Sequence, residues 1–400
     1  MEKLDVSVLP GYARAVMDGL CRAGYTAYYA GGCVRDILLG VAPVDVDIAT
    51  SAMPEEVMRI FPHSVPTGIR HGTVTVCEAG GTVEVTAFRG EGNYSDLRHP
   101  DAVTFGVSPE EDVQRRDFTI NALLCDAHGN VYDYVGGCAD LSAGIIRAVG
   151  DARRRFSEDA LRMLRALRFR AKTGFEIEKE TEAALRALAP LAENLAVERV
   201  YDEIRKTLAT DRPAAVSEML GYGLIPAFGA KRLSSSAESV LAAARKEVLC
   251  AMLCALLVRE GRISAPADFA AHMKCERQTV VLAEGILAAA EVGSGNAEVG
   301  SGNAEAARRM LSAAGPEGAR AAALLCERPD DVLTHIEGVL QRGEAWRADM
   351  LALRGGEIAA LLRDATQTAE IRRRLLDRVL IRPEENTAER LAAAAKDLEK

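Results

Sequence analysis

Two periodicities divide the chain. Up to about residue 145, apolar and polar positions alternate in short runs broken by glycine; beyond it apolar residues recur at helical spacing. Residues 1–25 carry Val8, Leu9, Tyr12, Val16 and Leu20 at roughly helical intervals. A strand-like run over Thr26–Ala30 breaks at Gly31-Gly32, and a helix-like segment from Val34 to Leu39 ends at Gly40, a residue suited to a helix C-terminus. After a turn at Pro43, Val44-Asp45-Val46-Asp47-Ile48 alternates apolar with acidic. That pattern predicts a strand with Val44, Val46 and Ile48 in a core and both carboxylates on the other face. Pro54 marks the first turn of a further helix. Gly72–Cys77 and Thr82–Phe88 alternate on either side of Gly80-Gly81, a hairpin signal that puts Glu84 opposite to Val83 and Val85.

The polar, glycine-containing stretch 90–101, GEGNYSDLRHPD, reads as a mobile loop. From residue 145 on, Ala, Leu, Arg and Glu dominate, which predicts helices only. One begins at Ser157 as N-cap and stops near Gly174; its Asp159, Arg162, Arg165 and Arg168 recur every three residues beside a stripe of Leu161, Leu164 and Leu167. Residues 290–296 and 297–303 repeat as AEVGSGN, a Gly/Ser-containing duplication expected to form a connector.

Composition narrows the class. A chain of 400 residues is too long for one ordinary domain, and 48% apolar residues suffice for real cores. The formal net charge of −9 means that any contact with nucleic acid must come from a local basic patch. No apolar run approaches a membrane span, and the N-terminus has no basic-then-apolar signal pattern, so the cytoplasm is expected. Nine scattered cysteines form no framework; Cys250 and Cys254, with His272 and Cys275 downstream, are read as core rather than as a zinc site.

The candidate chemistry lies between Tyr28 and Ile48. Two carboxylates fixed side by side, Asp45 and Asp47, repel one another unless a cation sits between them. Oxygen ligands suit Mg²⁺, which typically takes one or two carboxylates plus substrate phosphates. Gly31-Gly32 lets backbone N–H groups approach a phosphate, and Arg35 adds a guanidinium fork. Glu84 is a candidate third carboxylate, with a solvent-facing strand residue as the alternative.

Gly-Gly-x-Val-Arg-Asp followed by Asp-x-Asp resembles the nucleotidyltransferase superfamily of DNA polymerase beta, and in particular the class II tRNA nucleotidyltransferases. RRDFTINA at 115–122 is similar to that family's second motif. Asp133-Tyr-Val-Gly136-Gly137 resembles the third, EDALRMLRALRF the fourth and Val197-Glu198-Arg199-Val200 the fifth, the third and fifth having structural roles. The resemblance covers roughly residues 28 to 205. It implies an α+β fold: a small mixed-sheet catalytic head (1–145) followed by helical neck (146–212), body (213–303) and tail (304–400). It implies addition of C, C and A to tRNA 3′ ends from CTP and ATP with Mg²⁺ at Asp45 and Asp47. Gly32, Arg35 and Arg116 would orient the triphosphate, and the tail would contact tRNA.

Asp159 with Arg162 would read the base. Cytosine and adenine both present an amine donor beside a ring-nitrogen acceptor, uracil and guanine the reverse, so one acceptor and one donor side chain separate the two classes. Arg165 and Arg168 would hold the base, neighbouring residues or triphosphate. Narrower relatives that add only A or only CC, or a bacterial poly(A) polymerase, are the alternatives. No His-Asp doublet supports a phosphohydrolase, and the Asp45/Asp47 pair argues against a purely tRNA-binding factor. No membrane partner is expected; one molecule and a homodimer both stay open.

Overall fold

The computed structural model describes residues 3–92, 103–295 and 302–399. Pro10 delays the first α-helix, α1 (Gly11–Arg22), which buries Ala13, Val16, Met17 and Leu20. Val8 falls in a preceding single turn and is 54% exposed, so the apolar spacing overextends that helix at its start. There follow β1 (Ala27–Ala30), α2 (Gly32–Leu38), β2 (Asp47–Thr50), α3 (Pro54–Ile60), β3 (Ser64–Gly68), β4 (Thr73–Glu78) and β5 (Gly81–Ala87). Next come β6 (Arg89–Glu91), β7 (Val103–Phe105), α4 (Pro109–Gln114), β8 (Leu124–Cys125) and β9 (Val131–Tyr132). Strands β6 and β7 pair with each other. The loop expected at 90–101 lies, from residue 93 onward, outside the described residues.

Seven strands form one mixed sheet in the order β3-β4-β5-β2-β1-β8-β9, with β2 and β5 parallel. This is the α+β class expected. Residues opposite one another on neighbouring strands point the same way. Tyr29, Ile48, Val85 and Val74 thus share a face; all four are buried, with α1 and α3 packed on that side. Ala30, Asp47, Glu84 and Thr75 share the other face, whose β1–β8 end is closed by Val113, Ala122 and Val149. Val44 corrects the expected strand. It is 85% exposed because pairing with β1 begins only at Asp47, and residues 44 and 45 form a bend.

After the sheet come α5 (Gly137–Ala143) and β10 (Ile145–Ile146). The helix expected from Ser157 is two helices, α6 (Ala152–Glu158) and α7 (Leu161–Thr173), with Asp159 extended between them. Asp151, not Ser157, is an N-cap: its side chain accepts from the Arg154 N–H and starts α6 six residues earlier. Helix α7 ends at Gly174 with φ 78°, as the sequence indicates. Strands do not stop at 145 either, because β11 (Glu176–Ile177) pairs with β10. Helices α8 (Lys179–Leu188) and α9 (Val197–Leu208) follow.

By contacts the chain divides into two units, 1–203 with 218–226 and 204–217 with 227–400. The second unit is helical. Its helix Arg277–Gly295 runs into the first AEVGSGN copy, which is therefore not a connector up to residue 295. Gly293 faces Cys326 and Met310 so closely that a Cβ would meet the Cys326 Sγ at 2.7 Å; the close approach of two helices uses that glycine. Residues 296–301 of the duplication lie outside the described ones. A separate cluster around Ile358, Ile371, Leu375, Val379 and Leu391 forms the C-terminal core. Among the described residues no helix is long and apolar enough to cross a membrane.

Candidate active site

The carboxylates come together by register. Asp47, the first residue of β2, stands opposite Glu84 of β5, and Asp45 precedes it by two residues in the bend. Crowding by protein and the neighbouring Glu84 carboxylate push Asp47 up to about 6, with Asp45 adding to the shift and Arg116 opposing it, although Asp47 is still open to solvent. A carboxylate raised by like charges, in an all-oxygen donor set, fits a hard divalent cation. Asp45 and Asp47 are the residues that could hold one, with Glu84 the strand neighbour of Asp47; among the described residues no three His, Cys, Asp or Glu side chains are gathered into a ready metal site.

The Gly31-Gly32 pair forms the second wall. Gly31 takes φ 70° and ψ −124° at the start of α2, a backbone open to glycine. A Cβ there would lie 3.2 Å from Arg116 Nη1, so Gly31 keeps clear the space in front of that guanidinium, whereas one on Gly32 would make only an ordinary contact with Arg35 Nη2 at 3.6 Å. Arg116 donates to Asp112 at 3.1 Å and its Nε, buried, has no partner among the described residues. Asp112 is buried and also accepts from Arg115 at 2.7 Å and from the Arg89 N–H, so one carboxylate orients both arginines of RRDFTINA. Arg35 is turned inward: only 2% exposed, it donates to Asp36 at 2.6 Å and to the Asn121 side-chain oxygen. Lys172 of α7 reaches the same Asp36 at 2.9 Å.

The residues of α7 are near one another but engage different partners. Asp159 is bound bidentately by Arg199 of α9, at 2.8 and 3.2 Å, and accepts from the Leu161 N–H. Arg162, 8% exposed, donates to Glu158 at 2.8 Å and to the carbonyls of Arg155 and Arg115. The Arg162 backbone N–H donates to the Asp159 carbonyl at 3.0 Å, while the two side chains engage these different partners. Arg165 binds Asp117 at 2.7 Å, and Arg168 binds Glu203 at 2.6 Å. Burial opposes ionisation of Asp117, but Arg165 outweighs it and holds the carboxyl below its ordinary range. Arg35, Arg165 and Arg168 all lie over the Phe169 ring, at 5.2, 5.3 and 4.3 Å from its centroid. Sequence reasoning missed Asp112, Phe169 and Lys172. The i,i+3 and i,i+4 spacing of Asp112 to Arg115 and Arg116 was a usable signal; nothing local announced the other two.

Known proteins resemble this chain in sequence and in fold. The model of the poly A polymerase head domain matches residues 27–147, and that of the probable RNA and SrmB-binding site of polymerase A matches 174–228. The solved CCA-adding enzyme of Bacillus stearothermophilus in complex with CTP superposes with a TM-score of 0.77 at 32% identity, over 97% of this chain and 96% of that one. The chain belongs to the family of CCA-adding enzymes. Among curated CCA-adding enzymes, that of Leuconostoc mesenteroides is 54% identical over 196 residues, 49% of each chain. That of Geobacillus stearothermophilus is 44% identical over 258 residues, 62% of this chain and 64% of its own. The matched segment thus spans about half the length of the first of these relatives. A CCA-adding enzyme of Thermotoga maritima complexed with tRNA shares the fold, with a TM-score of 0.66 at 18% identity. Membership in this CCA-adding family implies a divalent metal ion.

Proposed function

We propose that the protein adds C, C and A to the 3′ ends of tRNA from CTP and ATP, without a template, releasing pyrophosphate. One observation carries the reading: an open carboxylate group, Asp45 and Asp47 with Glu84, beside the glycine-lined Arg116. In each addition the tRNA 3′-oxygen bonds to the nucleotide α-phosphorus, the bond from that phosphorus to the β-phosphate bridge breaks, and the hydroxyl proton leaves to solvent. Asp45 and Asp47 would hold Mg²⁺, which would supply positive charge at the reacting phosphate and lower the pKa of the attacking hydroxyl. Arg116 and the Gly31-Gly32 backbone orient the triphosphate, so positioning and electrostatics carry most of the catalysis. Arg35 joins them if the triphosphate draws it from Asp36; otherwise it fixes α2.

Asp159 and Arg162 read the base. Asp159 keeps acceptor capacity on Oδ2 while Arg199 holds it, and can take the exocyclic amine of C or A. Arg162 exchanges a carbonyl partner for the ring nitrogen. Arg165 and Arg168 keep α7 in place against Asp117 and Glu203. We further assign residues 1–145 to a catalytic head, 146–212 to a neck, 213–303 to a body and 304–400 to a tRNA-contacting tail, acting in the cytoplasm.

The test uses labelled tRNA transcripts ending before CCA, after C and after CC, each with Mg²⁺ and CTP, ATP or both. Extension of the first by three nucleotides, and no more, supports the reading. Growth on the CC-ended transcript alone identifies an A-adding enzyme, long A tails a poly(A) polymerase, and no extension overturns the proposal.

A further inference from the structure

The face of the sheet that carries Asp47 continues outward as a polar row that the site above does not use. Glu84 stands beside Asp47, and Thr75 of β4 beside Glu84. Thr67 of β3 then bonds Thr75 hydroxyl to hydroxyl at 2.8 Å. Thr67 and Glu84 are exposed and Thr75 half-buried, whereas Val74, Val76, Val83 and Val85 on the back of the same strands are fully buried. On β4 and β5 the alternation is complete, with the core on one side and polar side chains beside the carboxylates; β3 lies at the open edge, where Val65, opposite Thr75, is 50% exposed next to the hydroxyls. In a threonine pair one hydrogen serves the mutual bond, which leaves a second O–H to donate and several lone pairs to accept. At the connection between β3 and β4, Arg70 is exposed and has no hydrogen-bond or ion-pair partner among the described residues.

Reaction geometry says what such a row meets. The attacking and leaving oxygens lie roughly in line on opposite sides of the transferred phosphorus. Gly31-Gly32 and Arg116 lie on the β1 and α2 side of Asp47 and suit the leaving pyrophosphate. The attacking 3′-oxygen then enters from the other side, where β5, β4 and β3 lie. Hydroxyls suit ribose and phosphate oxygens, and Arg70 adds a cation at the β3–β4 connection. A track made mainly of neutral donors also releases the strand easily, as an enzyme must when its product moves on by one nucleotide.

We propose that the open face of β5, β4 and β3 is the acceptor-strand subsite. Thr75 and Thr67 position the sugar and phosphate groups of the RNA 3′-terminal nucleotides beside Glu84, and Arg70 pairs with a phosphate farther from the reacting end. This assignment rests on the nucleotidyl-transfer reading above.

Single C addition to a tRNA transcript lacking CCA, measured against transcript and CTP concentrations with the full chain, tests it. Thr75→Val and Thr67→Val should each raise KM for the transcript about fivefold, the loss of one hydrogen bond, with KM for CTP unchanged. Thr75→Ser should restore the parent value. Arg70→Gln should raise the transcript KM and reduce the slope of its logarithm against log salt by about 0.7, one phosphate contact on a single strand; the threonine variants should leave the slope unchanged. Should Thr75→Val melt early, Thr67→Val and Arg70→Gln, both at exposed positions, decide the matter. Transcript KM values equal to the parent's, or a shift in KM for CTP instead, overturn the subsite. Failure of the parent protein to extend any transcript overturns the functional reading itself.

Discussion

Asp159 is gripped on both carboxylate oxygens by Arg199, which reaches it across 40 residues of sequence from α9. Asp159 sits in the two-residue break between α6 and α7, where no helix fixes it. Its aim therefore depends on Arg199. Arg199→Ala should leave the chain folded, since the pair is partly exposed, and leave KM for tRNA unchanged. Selectivity for CTP over UTP should fall about tenfold, a loss of about 1.4 kcal/mol in discriminating interaction. Competition between the two nucleotides on one transcript measures it. Unchanged selectivity would mean that Asp159 is positioned by its backbone alone. Asp159→Ala with Arg162→Ala should go further and admit UTP.

Asp47 gives the pH dependence. Its carboxyl is raised to about 6 in the folded protein, above the ordinary value of about 3.9 when unfolded. Between those values the folded state holds a proton that the unfolded chain has lost. Stability of the metal-free protein therefore declines as pH rises from 4 to 6 and stays lower above. Asp47→Asn should stabilise the protein in chelator at pH 7, by no more than about 1 kcal/mol given the solvent exposure of this side chain, and should have no effect below pH 4. Melting curves across that range test the sign. Activity at sub-saturating Mg²⁺ should move oppositely, falling in acid as protons compete with the metal for this carboxylate, with the midpoint moving down as Mg²⁺ is raised, and Asp45→Ala or Asp47→Ala should abolish incorporation with tRNA binding retained.

The parts legible in the sequence were those fixed by local pattern. Alternation at 73–87 yields β4 and β5, and Gly40 and Gly174 end helices because each takes a positive φ. Glu84 could be named as a candidate, but its place beside Asp47 comes from the parallel pairing of β2 with β5, which no local spacing encodes. The same holds for α7. Three-residue spacing put its arginines along one side, yet Asp117, Glu203 and Glu158, which decide their directions, come from three different segments. Val44 misled because alternation continues into a bend that has no partner strand.

Asp117 and Arg165 form an ion pair whose acidic member is buried. Removing Asp117 leaves the partly exposed Arg165 with the more distant Glu203 carboxylate, at 3.8 Å, so Asp117→Asn should cost about 1–2 kcal/mol at neutral pH, less than for a fully buried pair. Because folding lowers this pKa, the contribution is full above the unfolded value of about 3.9 and is lost as pH falls through the folded one. Urea midpoints of parent and variant should accordingly converge in acid. Midpoints that differ as much at pH 3 as at pH 7 would assign the loss to packing instead of charge.

Gly136 and Gly137 are neighbours with opposite tolerances. Asp133 caps the turn they form, accepting from the N–H groups of Val135, Gly137 and Cys138. A Cβ on Gly137 would fall well inside van der Waals contact with the Thr119 carbonyl oxygen and 3.0 Å from Leu123 Cδ2, so the backbone of one segment must give way. Thr119 is three residues from Arg116 and is tied to the turn again through its hydroxyl and Asp140 at 2.7 Å. Gly137→Ala should thus cost about 3 kcal/mol as an overpacking change and, by shifting Arg116, lower kcat for C addition. Gly136 has φ 82°, but a Cβ there meets nothing within 4 Å. Asn tolerates that backbone, so Gly136→Asn should cost under about 1 kcal/mol and keep kcat. Equal losses in the two variants would reject steric contact with Thr119 as the reason for glycine at 137.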